Sequence, residues 1–360
     1  MIELNLRRNS EGAYILDSDI ISQKYQVLHN INEVSGVELK NNYWLVNDKE
    51  KILVKTLDFY PDSYVMYTFA ELLFSKFAEK NGVPCCQIDL GYNNGLYYTL
   101  SKNVVGNAER KLSLRELRKM CGKEDDYKYA TLKEIDELFS IAVNKFGLKI
   151  APGCKYKLKI LEIMDFLTVQ RDRNITNILF SIKEREDGCV LDVKPFIDNE
   201  DCFLFPLLSA RYDMGKIPQT SFLVKTKKPV KKVRKLISYA KKEGQLFALP
   251  IFGVCSCPKF DYDDLGIKDF FKEIFCRTES KKYKQKVREE VADEIIKDSR
   301  LFTFFKSVSF DAEEYGKEIY NETGIKIPDI YLNLAQEIVD YRRNELALVI
   351  DEKTQSEMGK

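Results

Sequence analysis

The stretch from Val169 to Phe180, VQRDRNITNILF, places seven polar residues between two apolar segments. The segment before it, Lys155 to Val169, has the apolar spacing of a buried helix, and the apolar residues from Ile178 onward indicate a strand. A polar loop held between two buried elements is either a well-bonded turn or a functional site. The rest of the fold therefore has to accommodate a helix, a polar loop and a strand in this order.

Three oxygen-bearing side chains in and after this loop have the spacing of a phosphoryl-transfer site. Asp172 and Asn177 are five residues apart, and Asp198 follows in KPFIDNEDCF, 26 residues after Asp172. In phosphoryl transfer one carboxylate orients the attacking hydroxyl, while an amide oxygen and a second carboxylate hold Mg²⁺ on the phosphates. The alternative interpretation is that Asp172 and Asn177 make only turn hydrogen bonds.

The chain to about residue 110 has the pattern of a β-rich region with one inserted helix. Asn42–Val46 and Lys51–Leu57 are apolar, β-branched runs on either side of a polar turn, which predicts a hairpin. Apolar residues at helical spacing predict a helix from Ser63 to Lys80, ended by the turn Asn81 to Pro84. Two more strands are predicted in CCQIDLGY and GLYYTLSKNV, around the turn Asn93-Asn94-Gly95.

From about residue 111 the pattern becomes helical. One predicted helix has an apolar face from Ile135 to Phe146 and ends at Gly147. After the polar loop, NILFSI and CVLDV predict short strands, and further helices are predicted within Val291–Phe305 and Ile330–Val349. We therefore predict a smaller β-rich lobe over residues 1–103 and a larger helical lobe over 104–350. Residues 351–360 form a polar tail that is expected to fray.

Composition excludes several classes of function. The net charge of +1 provides no overall field for nucleic acid, so no direct nucleic-acid binding is expected, and no apolar run reaches the length of a membrane span. The single histidine, His29, argues against hydrolases with a histidine base. The nine cysteines lack zinc-site spacing. A cytoplasmic location is the expectation, with export or delivery to a host cell left open.

RDRNITNILF followed by VKPFIDNEDCF resembles the catalytic and metal-binding loops of HipA-like serine/threonine kinases, in the short CtkA-like form. Phosphoinositide kinases share a similar Asp-Arg-x-x-x-Asn loop. The resemblance implies an α+β, bilobal protein-kinase-like fold. It implies that Asp172 is the catalytic carboxylate, and that Asn177 and Asp198 are metal ligands. Gln170 stands where ordinary protein kinases have a histidine. Arg171 and Arg173 are assigned no role beyond charge balance.

The same resemblance places the nucleotide in the β-rich lobe. Lys55, in the strand KILVKTL, is expected to bind phosphate, held there by Glu71 from the following helix. Ser35 and Gly36, in NEVSGVELKNNYW, resemble the family's phosphate loop, in which a serine can be autophosphorylated. The alternative is that this stretch is an ordinary loop that leads into a strand. Because the segment that joins the lobes should be the hinge, backbone groups of Leu100, Ser101 and Lys102 are expected to bind the adenine edge. The alternative interpretation of Lys55 is that it is only the solvent-facing member of an alternating strand.

These features predict an ATP- and Mg²⁺-dependent kinase that phosphorylates serine or threonine of a protein, itself included. Two alternatives stay open: a small-molecule or lipid kinase, and a nucleotide-binding pseudokinase. The basic run Lys225–Lys235 holds seven basic residues in eleven and is interpreted as a solvated face, with docking of an acidic partner as the alternative. The sequence leaves the protein acceptor and the oligomeric state open.

Overall fold

The structure is a computed structural model of the 360-residue chain. It describes residues 2–31, 38–55, 64–106, 109–123, 132–170, 173, 175–200, 202–205 and 281–358. The predictions for Ser35, Gly36, Arg171, Asp172 and the basic run Lys225–Lys235 lie outside these residues.

The N-terminal part of the chain forms a six-stranded sheet with the order β1-β5-β6-β4-β3-β2. Its strands are β1 (Tyr14–Ile15), β2 (Gln26–Ile31), β3 (Glu38–Val46), β4 (Lys51–Lys55), β5 (Ile88–Asn93) and β6 (Leu96–Lys102). The predicted hairpins β3–β4 and β5–β6 are confirmed, and both are antiparallel. In the second turn Asn94 and Gly95 have φ of 47° and 86°, the positive values that a two-residue hairpin turn requires.

Two helices accompany this sheet where the sequence predicts one. Helix α2 (Tyr64–Lys80) is the predicted helix. Helix α1 (Ser18–Lys24) is additional, and its N-cap is Asp17, whose carboxylate accepts hydrogen bonds from the backbone N–H groups of Asp19 and Ile20. With only seven residues, α1 is too short for an apolar period to mark it in the sequence.

The next part of the chain forms a four-stranded sheet with the order β7-β9-β10-β8. Its strands are β7 (Arg110–Ser113), β8 (Lys149–Ile150), β9 (Leu179–Arg185) and β10 (Gly188–Val193). The helices among them are α3 (Leu114–Met120), α4 (Leu132–Phe146) and α5 (Cys154–Thr168). The predicted helices α4 and α5 and the β9–β10 hairpin are confirmed.

The described C-terminal residues are helical. They form α6 (Lys281–Lys297), α7 (Ser299–Ser307), α8 (Ala312–Thr323) and α9 (Asp329–Met358). The expectation of a frayed tail is wrong for residues 351–358, which continue helix α9. An ion pair with helix α6 stabilises residues 351–358, because Lys353 Nζ lies 2.5 Å from Asp293 Oδ1.

The contacts group the chain into two compact units. One holds the described residues of Met1–Gly106, Asn199–Lys231 and Asp311–Asn333; the other holds those of Asn107–Asp198, Lys232–Phe310 and Leu334–Lys360. Lobe boundaries at residues 103 and 350 stay predictions. Within the described residues, no helix combines the length and apolarity needed to cross a membrane.

Strand alternation divides the side chains of β4 between two faces of the six-stranded sheet. Ile52 and Val54 are fully buried and pack in one core with Leu45, Leu100 and apolar residues of the N-terminal segment. Because successive side chains of a strand point to opposite faces, Lys55 lies on the other face. That face is the one that helix α2 covers.

Helix α2 is buried over most of its circumference. Thr68 on this helix lies 2.6 Å from Thr99 of β6, measured between the hydroxyl oxygens, so this side of α2 rests on the sheet. Thr99 pairs with Lys55 across the β6–β4 ladder. A helix that is apolar around most of its surface has to be covered on more than one side.

Helix α8 covers α2 through a buried charge. Lys76 is 3% exposed, and its Nζ lies 2.7 Å from Glu322 Oε1 on α8 and 3.0 Å from Glu79 Oε2. Burial works to lower the pKa of Lys76, but hydrogen bonds to Glu322 and Glu79 more than offset it and raise that pKa. A C-terminal helix is thereby fixed to the central helix of the N-terminal sheet.

Burial also makes one carboxyl of α5 sensitive to pH. Glu162 is partly buried, and burial together with the charges of Glu294, Asp165 and Glu290 raises its pKa to about 8, against the opposing charge of Lys159. An acid whose folded-state pKa lies above its ordinary value of 4.5 costs stability as the pH rises from the lower value to the higher one.

The substitution Glu162→Gln is therefore expected to raise the free energy of unfolding more at pH 8 than at pH 5, by about 1–2 kcal/mol. Urea unfolding at the two pH values measures the difference. Glu186→Gln, in the exposed turn between β9 and β10, is the control and should give the same change at both. An equal effect of Glu162→Gln at pH 5 and pH 8 would contradict the assignment.

Candidate active site

The N-terminal unit brings Lys55 and Glu71 together, as the sequence predicts. Lys55 Nζ lies 3.5 Å from Glu71 Oε1, and the side chain of Glu71 is fully buried. The register explains the contact, because Glu71 follows Thr68 by one helical turn and Thr68 meets Thr99, the strand partner of Lys55. Lys55 is therefore not merely the solvent-facing member of a strand.

Two further residues that the sequence analysis missed complete this cluster. The backbone N–H of Asn199 donates to Glu71 Oε1 at 3.2 Å, and Glu200 Oε2 lies 3.8 Å from Lys55 Nζ. Asn199 is itself buried, and its side-chain amide lies 3.5 Å from Cys85 Sγ. The only sequence signal was their position directly after Asp198. Neither residue type marks a site without the tertiary contact.

The donor atoms present suit a hard divalent cation. Glu71 and Glu200 place carboxylate oxygens within 4.8 Å of each other. In the second unit, Asp198 and Asn177 offer oxygen ligands of the same kind, a carboxylate and an amide. Mg²⁺ binds such oxygen ligands and keeps several waters, so the chemistry of these side chains fits the metal that the sequence predicts.

The predicted hinge segment lies inside the sheet. Leu100, Ser101 and Lys102 belong to β6, which pairs with β4 on one side and β5 on the other, and the N–H of Lys102 donates to the carbonyl of Gln87. Leu100 points into the core, while Ser101 shares the face of Lys55. The buried Ser101 hydroxyl has no hydrogen-bond partner among the described residues. Adenine binding by this segment stays a prediction.

In the second unit, hydrogen bonds fix the polar loop at Gln170 and at Arg173. Helix α5 ends where Val169 adopts a left-handed conformation, with φ of 56°. The side-chain amide of Gln170 then donates to the carbonyl of Asp198 at 2.8 Å, and Arg173 donates to the carbonyl of Ile197 at 2.5 Å. Asp172, which lies outside the described residues, stands in the sequence between these two anchors.

Arg173 also forms a buried ion pair with Asp165. Its Nε and Nη2 donate to the two carboxylate oxygens of Asp165 on α5, both at 2.9 Å, and both side chains are almost completely buried. Burial raises the pKa of Asp165, and the charge and hydrogen bonds of Arg173 oppose that rise. The interpretation of Arg173 as charge balance alone is therefore wrong, because it anchors the loop.

The β9–β10 hairpin explains why Asn177 and Asp198 belong to one end of this unit. Phe180 pairs with Val193, and the N–H of Lys194 donates to the carbonyl of Leu179, so β9 begins where β10 ends. Asn177 directly precedes that end and Asp198 follows it. Asp198 has φ of 57°, a left-handed conformation that few residues other than glycine adopt. Aspartate is one of the few residues besides glycine that adopt this conformation with little strain.

Comparison with known proteins places this fold beside kinases. No protein-family model matches the sequence, and no curated protein matches it. Among solved structures, the proinflammatory kinase CtkA of Helicobacter pylori matches with a TM-score of 0.52 and 14% identity, over 91% of this chain and 97% of CtkA. HipA of Shewanella oneidensis, solved with HipB and operator DNA, matches with a TM-score of 0.36 and 9% identity, over 85% of this chain and 61% of HipA.

The chain therefore has a kinase-like α+β fold, with N-terminal strands in a curled sheet and a mostly helical C-terminal part. The fold class predicted from the sequence is confirmed, and it is similar to that of CtkA. At 14% identity this likeness concerns the fold. The activity has to be argued from the site residues themselves.

Replacing Arg173 by Met is expected to lower the free energy of unfolding by about 3–5 kcal/mol, because Asp165 then keeps a buried charge without its two hydrogen bonds. Urea unfolding at neutral pH measures the loss. Lys149→Met is the matched control, since it breaks an exposed pair with Asp187 at 2.6 Å and should change the free energy of unfolding far less. A comparable small loss for both variants would contradict an anchoring role of Arg173.

Proposed function

We propose that this protein is an ATP- and Mg²⁺-dependent serine/threonine protein kinase of the HipA-like, short CtkA-like type, which also phosphorylates itself. The observation that carries the proposal is the pair of Lys55 and the buried Glu71. In kinases a strand lysine held by a helix glutamate directs its ammonium toward the α- and β-phosphates of ATP. The kinase-like fold, similar to that of CtkA, supports a phosphotransferase.

The polar loop and the segment after β10 supply the remaining roles in this proposal. Asp172 orients the hydroxyl of the acceptor and accepts its proton. Asn177 and Asp198 hold Mg²⁺, and Asp198 is fixed through its carbonyl by Gln170. When bound, Mg²⁺ would neutralise the negative charge that develops on the phosphates. Lys55 draws the same phosphates toward the sheet.

Three further assignments belong to the same proposal. Ser35 and Gly36 contact the phosphates, and Ser35 is the expected site of autophosphorylation. Backbone groups from Leu100 to Lys102 bind the adenine edge. The partner is a protein that presents a serine or threonine hydroxyl to Asp172.

Transfer of radiolabel from γ-labelled ATP in the presence of Mg²⁺ tests the proposal. Asp172→Ala and Asp198→Ala are expected to reduce labelling of the protein by about 10²–10⁴-fold, because each loses a group that acts on the reacting phosphate or hydroxyl. Asp187→Ala, in the exposed turn between β9 and β10, is the matched control and should label like the wild type.

Each alternative function gives its own outcome in this assay. Equal labelling of the wild type, Asp172→Ala and Asp198→Ala would overturn the kinase assignment. Labelling of an added lipid or small molecule, without labelling of protein, would favour a kinase of that class. Binding of ATP without transfer to any acceptor would favour a pseudokinase.

A further inference from the structure

Lys55 lies between two carboxylates that differ in their surroundings. Glu71 Oε1 is 3.5 Å and Glu200 Oε2 is 3.8 Å from its Nζ. These three side chains together carry a net charge of −1. An anionic ligand that approaches Lys55 therefore meets a site whose positive charge is already more than balanced. For such a ligand to bind there, one of the two carboxylates has to give way.

Glu71 is the carboxylate that stays. Its side chain is fully buried in the middle of α2, and the backbone N–H of Asn199 donates to the same oxygen that faces Lys55. Moving Glu71 would leave a carboxylate buried away from the ammonium, which is strongly unfavourable. Helix α2 is in addition held by the sheet through Thr68 and by α8 through Lys76.

Glu200 is the carboxylate that can leave. Its side chain is 26% exposed, compared with 17% for Lys55, so solvent can hydrate the carboxylate after it separates from the lysine. A contact of 3.8 Å between partly exposed groups is a weak ion pair, because solvent screens both charges. Glu200 lies in a turn, outside the helices and strands.

We propose that Glu200 is an internal counter-ion of Lys55, which the phosphate groups of a nucleoside triphosphate replace when they bind. This inference rests on the proposed function, since it concerns the same phosphate-binding lysine, and it adds a residue to that site. Glu200 holds the ammonium in place while the site contains no nucleotide, and it lowers the affinity for the anion that takes its position.

Removal of the charge of Glu200 is therefore expected to tighten nucleotide binding. Glu200→Gln should lower the Kd for a fluorescent N-methylanthraniloyl ATP, measured in EDTA at low ionic strength, by about three- to tenfold. The gain should shrink as salt is added, because salt screens the attraction between Glu200 and Lys55. Glu11→Gln removes one charge from the exposed turn before β1 and is the matched control, with a Kd like that of the wild type.

A double-mutant cycle with Lys55→Met separates a direct effect from a general one. If Glu200 acts through Lys55, Glu200→Gln should leave the Kd unchanged in the Lys55→Met background. An equal gain in both backgrounds, or equal Kd values for Glu200→Gln and Glu11→Gln, would overturn the inference. Unfolding temperatures of all variants establish that each is folded.

The two proposals fail in different ways in this experiment. A wild-type protein that binds the nucleotide, together with a Glu200→Gln variant of unchanged affinity, would overturn the role of Glu200 and leave the proposed kinase standing. A wild-type protein that binds no nucleotide, with or without Mg²⁺, would overturn both.

Discussion

A carboxylate buried in the middle of an apolar helix has to find a positive charge and hydrogen-bond donors, or the helix cannot stay buried. Glu71 is that group in this protein. Lys55 supplies the charge from the sheet, and the backbone of Asn199 supplies a donor from a segment 128 residues away in the chain. Strand, helix and the segment after Asp198 are thereby brought to one place, which is why the candidate site lies there.

The second unit follows the same physical rule with a different pair. Arg173 and Asp165 are both buried, and two hydrogen bonds at 2.9 Å fix the guanidinium on helix α5. Two further donors of the described loop residues, from Arg173 and Gln170, go to the carbonyl groups of Ile197 and Asp198. These contacts hold the described residues of the loop in which the expected catalytic residue stands in the sequence.

Much of the fold could be predicted because its signals are local. The period of two in β4, the helical period of α2 and the Asn94-Gly95 turn each lie within a few consecutive residues. Helix α1 was too short for a period to show, and the polar end of α9 gains a contact that the sequence does not show, between Lys353 and Asp293 on another helix. Elements that depend on a distant partner gave no local signal, so the sequence could not reveal them.

By itself, the sequence determined which residue types were available: the carboxylates and amide of the polar loop, and a lysine and a glutamate in adjacent elements. It also determined that Lys55 and Ile52 lie on opposite faces, because strand alternation is a property of the backbone. Only the tertiary structure decided that Arg173 anchors its loop and that Glu200 shares Lys55 with Glu71. Those contacts join residues far apart in the chain, and the cost of burying a charge selects them only once the elements have packed.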